Sequence, residues 1–540
     1  MLYIFAFIIS LVITMILIPP VMKWADKIGA IDVPDSRKVH TVAIPRVGGI
    51  AMVIGSIVSI LMLVNIDARV ISILIGFMVI WVFGVWDDKC DINYKLKFLG
   101  QLLAVVIVVY FGDVVITKLP FIDGDIPGYI AIPFTVFALV GITNAINLTD
   151  GLDGLAGGTS LITISMIALL AYDAGSESIV LISMAVAGSI LGFLRHNTYP
   201  ARLFMGDTGS QFLGFSLGVL VIYLSQLANS AMSPIIPLII LGLPVLDTVA
   251  VIVQRLYENR SPFSPDKNHI HHKLLEVGFD QYEAVFIIYL IQTSLITVAY
   301  FMLYESDMML LAIYLIFSIL VLGVFQFTHS PVSATKNDVS NRSYLSSIIN
   351  NMYSYGIVTS LPAKMLKIIV PTLLIMSVIF ARDIENDIVI LSAILLVFIT
   401  ISLSLKFRYS VVTEKAVIYI VSAMAIYLMP SSSLEGDIYY IINILFALLV
   451  IFFSLRVRFS SERSFEVTPL DYLVIILVIS VPNLPEVQLE DSRIGEMAIK
   501  LVILLYATES VMGSNEKSIS FLRVSAVGTL AFVLLGVFNY

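Results

Sequence analysis

Cysteine and charged residues are both scarce in this chain. Its 540 residues include one cysteine, Cys90, so no disulfide can form within the chain. Charged residues make up 13% of the sequence, whereas a soluble domain carries about 25%. The segment from Met1 to Pro19 lacks the basic start and the small-residue cleavage site of a secretory signal. These deficits exclude a soluble fold and predict that the first apolar segment is a retained membrane span.

Long apolar windows recur along the whole chain, in which 59% of residues are hydrophobic. A membrane-spanning helix needs about 20 apolar residues, and there are about eleven such windows before residue 328 and about seven after residue 366. The sequence therefore predicts an all-α, polytopic transmembrane helical bundle. A serine- and asparagine-rich stretch at 329–366 is predicted to be a cytoplasmic linker between a membrane domain at 1–328 and a transmembrane extension at 367–540.

Lysine and arginine are concentrated in alternate connections between these windows. Because cytoplasmic loops of membrane proteins carry the excess of positive charge, the basic connections are predicted to be cytoplasmic and the N-terminus to lie outside. We therefore expect a multi-pass protein of the cell (inner or plasma) membrane. The polar clusters described below all fall on the predicted cytoplasmic side.

Four polar residues stand close together in an otherwise apolar region: Asn144, Asn147, Asp150 and Asp153. Their spacing by threes drifts slowly around one helix face, so all four can point into one cavity. Carboxylates buried in a membrane are costly and are rarely kept without a metal, a cation or a substrate. The alternative is a structural turn, which the neighbouring glycines would permit.

Two further aspartates, Asp87 and Asp88, are adjacent at the predicted cytoplasmic end of a span. Adjacent carboxylates repel each other, so the pair requires a nearby cation or a retained proton. Mg²⁺ takes oxygen ligands and commonly bridges one or two carboxylates to substrate phosphates. A solvated helix end balanced by Lys89 is the alternative interpretation.

Asp207 precedes a span that is predicted to begin near Ser210. The aspartate either caps that helix or presents a metal ligand at a helix N-terminus, where the helix dipole also favours phosphate. Phe204 either stacks on a base or packs in the core, and Asn197 belongs to the same polar cluster.

Histidines and basic residues supply a third kind of group. His269, His271 and His272 fit hydrogen bonding to sugar hydroxyls or phosphate better than zinc binding, because no cysteine accompanies them and adjacent rings point apart. Arg46 fits phosphate binding or ordinary positive-inside anchoring. Asp247 lies inside a span and should face the bundle interior, but spacing assigns it no role.

These groups together suit a soluble phosphate-bearing substrate, a divalent metal and a membrane-embedded acceptor. The chemistry that they predict is phosphoryl transfer, in which positioning and electrostatic stabilisation do most of the catalysis.

The ordered motifs resemble those of the polyprenyl-phosphate N-acetylhexosamine-1-phosphate transferases, a glycosyltransferase 4 family, over about the first 330 residues. The residues that carry the resemblance are Gly48-Gly49, Asp87-Asp88, 144–154, 204–210 and 269–272. The segment 261–272 is similar to the branch that acts on undecaprenyl phosphate and GlcNAc-1-phosphate.

The resemblance implies transfer of a HexNAc-1-phosphate, with GlcNAc-1-phosphate favoured, from a UDP-sugar to undecaprenyl phosphate. The products would be a polyprenyl-diphospho-sugar and UMP, initiating cell-envelope glycan synthesis. It also implies Mg²⁺ or Mn²⁺ as cofactor and no nucleic-acid partner, and it is compatible with a homodimer.

The resemblance further implies residue roles. Asp87 would deprotonate the lipid phosphate, Asp88 would lie beside it near the metal, and Asp207 would be a metal ligand. Phe204 would stack on uracil, and the histidines would contact the sugar and its phosphate. The expected substrate-binding set is Asn144, Asn147, Asp150, Asp153, Asn197, Phe204, His269, His271, His272 and Arg46.

Two features depart from the family pattern. Lys267 stands where an arginine is expected, which keeps the charge but loses bidentate phosphate geometry. The helical extension after about residue 330 is absent from typical members. Two alternatives therefore stay open: a phospho-MurNAc-pentapeptide transferase, or a fusion whose C-terminal half acts as a transporter or scaffold.

Overall fold

The computed structural model describes residues 2–32, 43–261, 268–327, 361–381, 384, 386–404, 410–429, 436–459, 493–512 and 516–536. Lys267 and positions 329–360 of the predicted linker lie outside these ranges, so the predictions made for them stay predictions. The described residues belong to two compact units, one of which runs to Phe327 while the other begins at Leu361.

The first unit is a bundle of α-helices. They are α1 Leu2–Ile28, α2 Gly48–Leu63, α3 Ala68–Cys90, α4 Tyr94–Phe111, α5 Gly128–Thr149, α6 Leu155–Asp173, α7 Glu177–Asn197, α8 Gly206–Tyr223, α9 Ile236–Ile240, α10 Gly242–Tyr257, α11 Ile270–Val277, α12 Gln281–Phe301 and α13 Asp307–Phe327. A π-helical turn, Leu224–Ala228, continues α8. Strand β1 (Ile31–Asp32) pairs antiparallel with β2 (Ile44–Pro45).

Helix α8 lies at the centre of this unit. Every one of its residues is buried except Asp207, which is partly exposed. Its N-terminus crosses the start of α2 very closely, because a Cβ on Gly49 would collide with the backbone of Gly209. Two glycines thus allow a contact between backbones that any side chain would prevent, and this contact fixes the position of Asp207.

The second unit is a separate helical bundle. Its helices are α14 Leu361–Ile379, α15 Asn386–Ser404, α16 Ser410–Leu428, α17 Gly436–Phe459, α18 Arg493–Met512 and α19 Glu516–Gly536. An apolar core lies between them and includes Leu373, Val421 and Leu504, each fully buried. Arg523 Nη2 donates to Glu414 Oε2 at 2.7 Å within this bundle.

The helical architecture confirms the predicted all-α, polytopic membrane fold. Within the described ranges, nine helices are long and apolar enough to cross a membrane: 5–27, 68–90, 94–111, 128–149, 155–173, 177–197, 206–228, 281–301 and 361–379. The predicted totals of about eleven and about seven spans are not confirmed, because several apolar helices, such as Gly48–Leu63, are shorter than the roughly 20 residues of a typical span.

Candidate active site

The end of α3 holds the beginning of α8. Asp88 Oδ1 accepts the Asp207 N–H at 2.7 Å, and Asp88 Oδ2 accepts the Thr208 N–H at 3.0 Å and its hydroxyl at 2.5 Å. Gly206 has a φ of +67°, and a Cβ on it would lie 2.5 Å from Asp88 Oδ1. The first N–H groups of a helix have no partner within it, and α8 has no side-chain cap of its own. Asp88 therefore acts as its cap.

Asp87 faces a different partner. Its Oδ1 accepts the Ile92 N–H at 3.0 Å, and its Oδ2 lies 3.2 Å from Lys97 Nζ. The same ammonium contacts Asp207 Oδ1. One cation in the first turn of α4 thus joins the carboxylates of α3 and α8, and offsets the repulsion between two acids held in a poorly hydrated place.

Asn147 on α5 completes the group. Its Nδ2 donates to Asp207 Oδ1 at 2.8 Å and to Ser210 Oγ at 2.6 Å. We call Asp87, Lys97, Asn147 and Asp207 the ionic layer. Four helices, α3, α4, α5 and α8, each contribute one of its members.

A second polar layer lies one helical turn away. Gln101 Nε2 donates to Gln211 Oε1 at 2.9 Å, and Asn144 Nδ2 donates to Gln101 Oε1 at 2.7 Å and to the Val140 carbonyl at 2.8 Å. Residues three or four apart share a helix face, so this amide layer (Gln101, Asn144 and Gln211) lies behind Lys97, Asn147 and Asp207. The structure places Asn144 in a contact between helices.

The turn between α5 and α6 carries the other two acids of the spaced motif. Helix α5 ends at Thr149, so the prediction that Asp150 and Asp153 continue the helix face of Asn144 and Asn147 is wrong. Glycines follow both aspartates and favour a turn over continued helix. Asp153 Oδ2 accepts the Ala201 N–H at 2.9 Å.

Asn197 ties this turn to the segment before α8. Its Oδ1 accepts the Gly154 N–H at 3.0 Å, and its Nδ2 donates to the Leu203 carbonyl at 2.9 Å. The side chain is 3% exposed, so Asn197 connects two loops from within the protein.

The Asp150 side chain is exposed, but the protein atoms packed around the turn limit its hydration and raise its pKa to about 7, with the negative charges of Asp207, Asp153 and Asp88 acting in the same direction. This carboxyl therefore changes its charge close to neutral pH.

Arg46 and Phe204 are neighbours at the edge of the site. Their backbones form a parallel bridge, with the Phe204 N–H donating to the Pro45 carbonyl at 2.8 Å. Arg46 Nε lies 3.4 Å from Asp32 Oδ1, and Nη2 lies 3.7 Å from Asp91 Oδ1. The arginine is thus held beside the end of α3 that carries Asp87 and Asp88.

The histidine motif, His269 to His272, begins α11 and packs on the α5–α6 turn. The rings of His269 and His271 are stacked with centroids 5.7 Å apart, and those of His271 and His272 are 4.3 Å apart. A Cβ on Gly151 would collide with His271 Nε2. The motif is therefore brought directly against the turn that carries Asp150.

Burial sets the charge of the central histidine. It lowers the pKa of His271 to about 3, with His272 and His269 adding to the effect and Asp247 opposing it. His271 is therefore neutral at physiological pH, and its two ring nitrogens provide one hydrogen-bond donor and one acceptor.

Several residues of the site were not predicted to belong to it. Lys97 is one of the many basic residues that the positive-inside bias alone would explain, and the sequence pattern does not distinguish Thr208, Gln101 or Gln211. The available signal was spacing: Lys97 and Gln101 are four apart in one apolar span, as are Asp207 and Gln211. Polar pairs at that interval share a helix face.

The fold and site define an integral membrane protein with a charged centre where helix ends meet. The sequence matches the profile of glycosyl transferase family 4 over residues 70–225, a range that includes the ionic layer. A relative that is 43% identical and covered over 81% of its length, described next, shows that the chain belongs to this family and is a transferase, which confirms the resemblance seen in its motifs.

Three relatives illustrate the match. "Probable undecaprenyl-phosphate N-acetylglucosaminyl 1-phosphate transferase" of Bacillus subtilis (strain 168) is 43% identical over 289 residues, covering 53% of this chain and 81% of the relative. "Decaprenyl-phosphate N-acetylglucosaminephosphotransferase" of Mycobacterium tuberculosis (strain ATCC 25618 / H37Rv) is 34% identical, covering 52% and 77%. "Undecaprenyl-phosphate alpha-N-acetylglucosaminyl 1-phosphate transferase" of Escherichia coli (strain K12) is 32% identical, covering 49% and 74%.

Proposed function

We propose that the protein transfers N-acetylglucosamine-1-phosphate from UDP-N-acetylglucosamine to undecaprenyl phosphate on the cytoplasmic face of the cell membrane. The names of the Bacillus and Escherichia relatives support the sugar phosphate and the lipid acceptor. The observation that carries the proposal is the meeting of Asp87 and Asp207 on Lys97 at the ends of membrane helices. At such a place a soluble phosphate and a membrane-bound phosphate can both approach one cationic group.

In this reaction an oxygen of the lipid phosphate attacks the phosphorus that bears the sugar. A new P–O–P linkage forms, the bond from that phosphorus to the bridging oxygen breaks, and UMP leaves with this oxygen. Asp87 accepts the proton of the lipid phosphate, and Lys97 neutralises charge on the phosphoryl oxygens. Fixed charges at a poorly hydrated site stabilise such a transition state more strongly than in water.

The carboxylates of the ionic layer fit a hard divalent cation, Mg²⁺ or Mn²⁺. Asp87 Oδ2 and Asp207 Oδ1 converge on a single ammonium, so their oxygens are close enough to share a cation. No cluster of three or more histidine, cysteine or acidic side chains within the described ranges could hold a metal, and Mg²⁺ commonly takes one or two carboxylates together with water and substrate phosphates. Asp207 would therefore hold the ion, with Asp87 beside it left to accept the proton; when bound, the ion would neutralise the charge that develops on the phosphates.

Two residues receive roles that differ from those implied by the resemblance. We assign Asp88 to positioning α8, because both its oxygens already accept hydrogen bonds from that helix. We assign Asn144 to the amide layer for the same kind of reason.

The α5–α6 turn and the histidine motif form the proposed nucleotide-sugar pocket. Neutral His271 lies against Gly151 and suits hydrogen bonds to sugar hydroxyls, since it can both donate and accept. Phe204 is proposed to stack on uracil, and Arg46 beside it to pair with phosphate.

Purified protein incubated with radiolabelled UDP-N-acetylglucosamine, undecaprenyl phosphate and Mg²⁺ tests the proposal. Label should appear in the lipid, and Asp87→Asn and Asp207→Asn should each lower kcat by roughly 100-fold or more. Asp307→Asn is a matched control, because Asp307 accepts the Ser233 hydroxyl at 2.5 Å and the Phe121 N–H at 3.1 Å away from the site. No labelled lipid from the wild type would overturn the reaction, and full activity in both variants would overturn the residue roles.

A further inference from the structure

Asp247 is a buried acid of α10 that the proposed reaction does not use. It is 7% exposed, and both of its carboxylate oxygens are occupied by the histidine motif. Oδ2 lies 2.8 Å from His269 Nδ1, and Oδ1 accepts the Ile270 N–H at 2.8 Å. A carboxylate in this part of a membrane protein is costly unless it has partners, and here both partners belong to one motif.

We infer that Asp247 is the positioning residue of the histidine motif, fixing the ring of His269 and the start of α11. The inference rests on the proposed function, because it gives the histidine motif the task of recognising the nucleotide sugar.

The contact with His269 selects one form of the ring. Nδ1–H must donate to the carboxylate, so Nε2, across the ring, is left for a second partner. In the neutral ring Nε2 is an acceptor, which suits a sugar hydroxyl or amide N–H. A ring held in this way is already in one tautomer before the substrate binds.

The contact with Ile270 fixes the helix that follows. No side chain within α11 caps its N-terminus, and the Asp247 carboxylate supplies the missing acceptor from α10. Helix α11 carries His271 and His272, so their positions depend on this cap.

An unbroken series of contacts leads from Asp247 to the pocket. The His269 ring stacks on His271, with 7° between the ring planes, and His271 lies against Gly151. His269 therefore contacts the ring that lies against the turn carrying Asp150, which is why its orientation should affect that turn.

Asp247→Asn separates positioning from simple stabilisation. Asparagine keeps the size and an acceptor for Ile270, but its amide N–H₂ cannot accept the His269 Nδ1–H. We expect kcat/KM for UDP-N-acetylglucosamine to fall by about 10–100-fold, as for carboxylates behind other oriented histidines, with most of the change in KM. In a His269→Ala background the same substitution should have little further effect on kcat/KM, whereas Asp307→Asn should leave KM unchanged in either background.

Histidine ¹⁵N spectra provide a readout that does not depend on activity. In the full chain with labelled histidine, the His269 signals are identified by their loss in His269→Gln. The wild type should show Nδ1 protonated, Asp247→Asn should shift the proton toward Nε2, and Asp307→Asn should leave the spectrum unchanged.

The two tests separate failure of the inference from failure of the proposed function. A wild-type ring protonated on Nε2 alone overturns the inference, even if Asp247→Asn fails to accumulate in the membrane. An unchanged KM and tautomer in a folded Asp247→Asn also overturn it. Absence of sugar-phosphate transfer by the wild type overturns the proposed function, while the spectra still decide whether Asp247 orients His269.

Discussion

Asp87 and Asp88 are adjacent in the chain, yet their carboxylates have different surroundings. Asp87 lies against Lys97, whereas Asp88 caps α8 through Asp207 and Thr208. Successive side chains on a helix point about 100° apart, so neighbours at a helix end face different elements. A paired motif shows that acids are needed without showing that both contact the substrate.

The charge of Asp150 should make the KM for the donor depend on pH. Its pKa is raised to about 7, so the carboxyl is mostly neutral below that pH and charged above it. A charged carboxylate would repel the diphosphate of the proposed donor, and the KM for UDP-N-acetylglucosamine should rise by a few-fold between about pH 6 and about pH 8. Steady-state kinetics across this range measure the effect.

Asp150→Asn provides the control, because it removes the titrating group and should flatten the profile. A KM that falls as pH rises would contradict the prediction. The same shift affects stability: the folded protein holds the Asp150 proton between the ordinary value of 3.8 and about 7, so the contribution of this group to stability declines as the pH rises through that window.

Individual polar residues were predictable because they are rare in an apolar chain, but their contacts were not. The density of His269, His271 and His272 predicted a binding motif, yet nothing in the spacing indicated that His271 packs on Gly151. The role of Lys97 could not be recognised from the sequence, because the positive-inside rule already accounts for lysine at the cytoplasmic end of a membrane helix.

Among the helices, α8 is the one around which the other helices of the site are arranged. Helices α2, α3 and α5 surround its beginning, and only Asp207 of its residues is not buried. The amide layer holds α4, α5 and α8 together immediately behind the ionic layer. Helix positions, and not loop positions, therefore determine where Lys97, Asn147 and Asp207 lie.

Gln101→Leu tests the amide layer. The substitution removes the donor to Gln211 Oε1 and one of the two acceptors of Asn144 Nδ2, which keeps the Val140 carbonyl. A buried polar group left without a partner costs about 1–3 kcal/mol. We expect a lower thermal denaturation midpoint in detergent and a reduced rate of transfer, because α4 carries Lys97.

A double variant, Gln101→Leu with Gln211→Leu, sharpens the same test. Removing both partners of a hydrogen bond costs less than removing one, so part of the lost stability should return. An unchanged denaturation midpoint in the single variant would show that the layer does not hold the helices.

Helices were predicted well where apolar windows are long, and less well where a helix begins or ends beside the site. Helix α5 ends at Thr149 and α11 starts at Ile270, and both boundaries lie next to the site. Glycine and polar side chains at these places satisfy backbone groups outside a regular helix, which a periodic pattern does not reveal.

At the scale of the whole molecule, the described site residues all belong to the first unit. A chain truncated after residue 330 should therefore keep transfer activity within about twofold of the full chain. None of the residues to which the proposed reaction assigns a role lies in the second unit. Activity per mole of membrane-extracted protein measures this. Loss of transfer by a truncated protein that still accumulates in the membrane would assign the second unit a necessary role.

Cys90 allows the proposed orientation to be measured. It is the single cysteine of the chain, it is exposed, and it follows Asp88 by two positions. A membrane-impermeant maleimide should label it in inverted vesicles and not in right-side-out vesicles, if the orientation proposed from positive-inside bias holds.

The reciprocal control uses the opposite end of the bundle. In a Cys90→Ser background, Asp123→Cys should be labelled only in right-side-out vesicles. Labelling of Cys90 from the outside would reverse the proposed topology.

The enclosure of α8 has a consequence for the choice of acceptor. A helix packed on all sides cannot rise or sink in the bilayer by itself, so Asp207 stands at a constant depth. In the proposed reaction the phosphate of the lipid acceptor would have to come to that depth, whatever the number of isoprene units behind it. Headgroup height, more than chain length, would then decide which lipids can react at this centre.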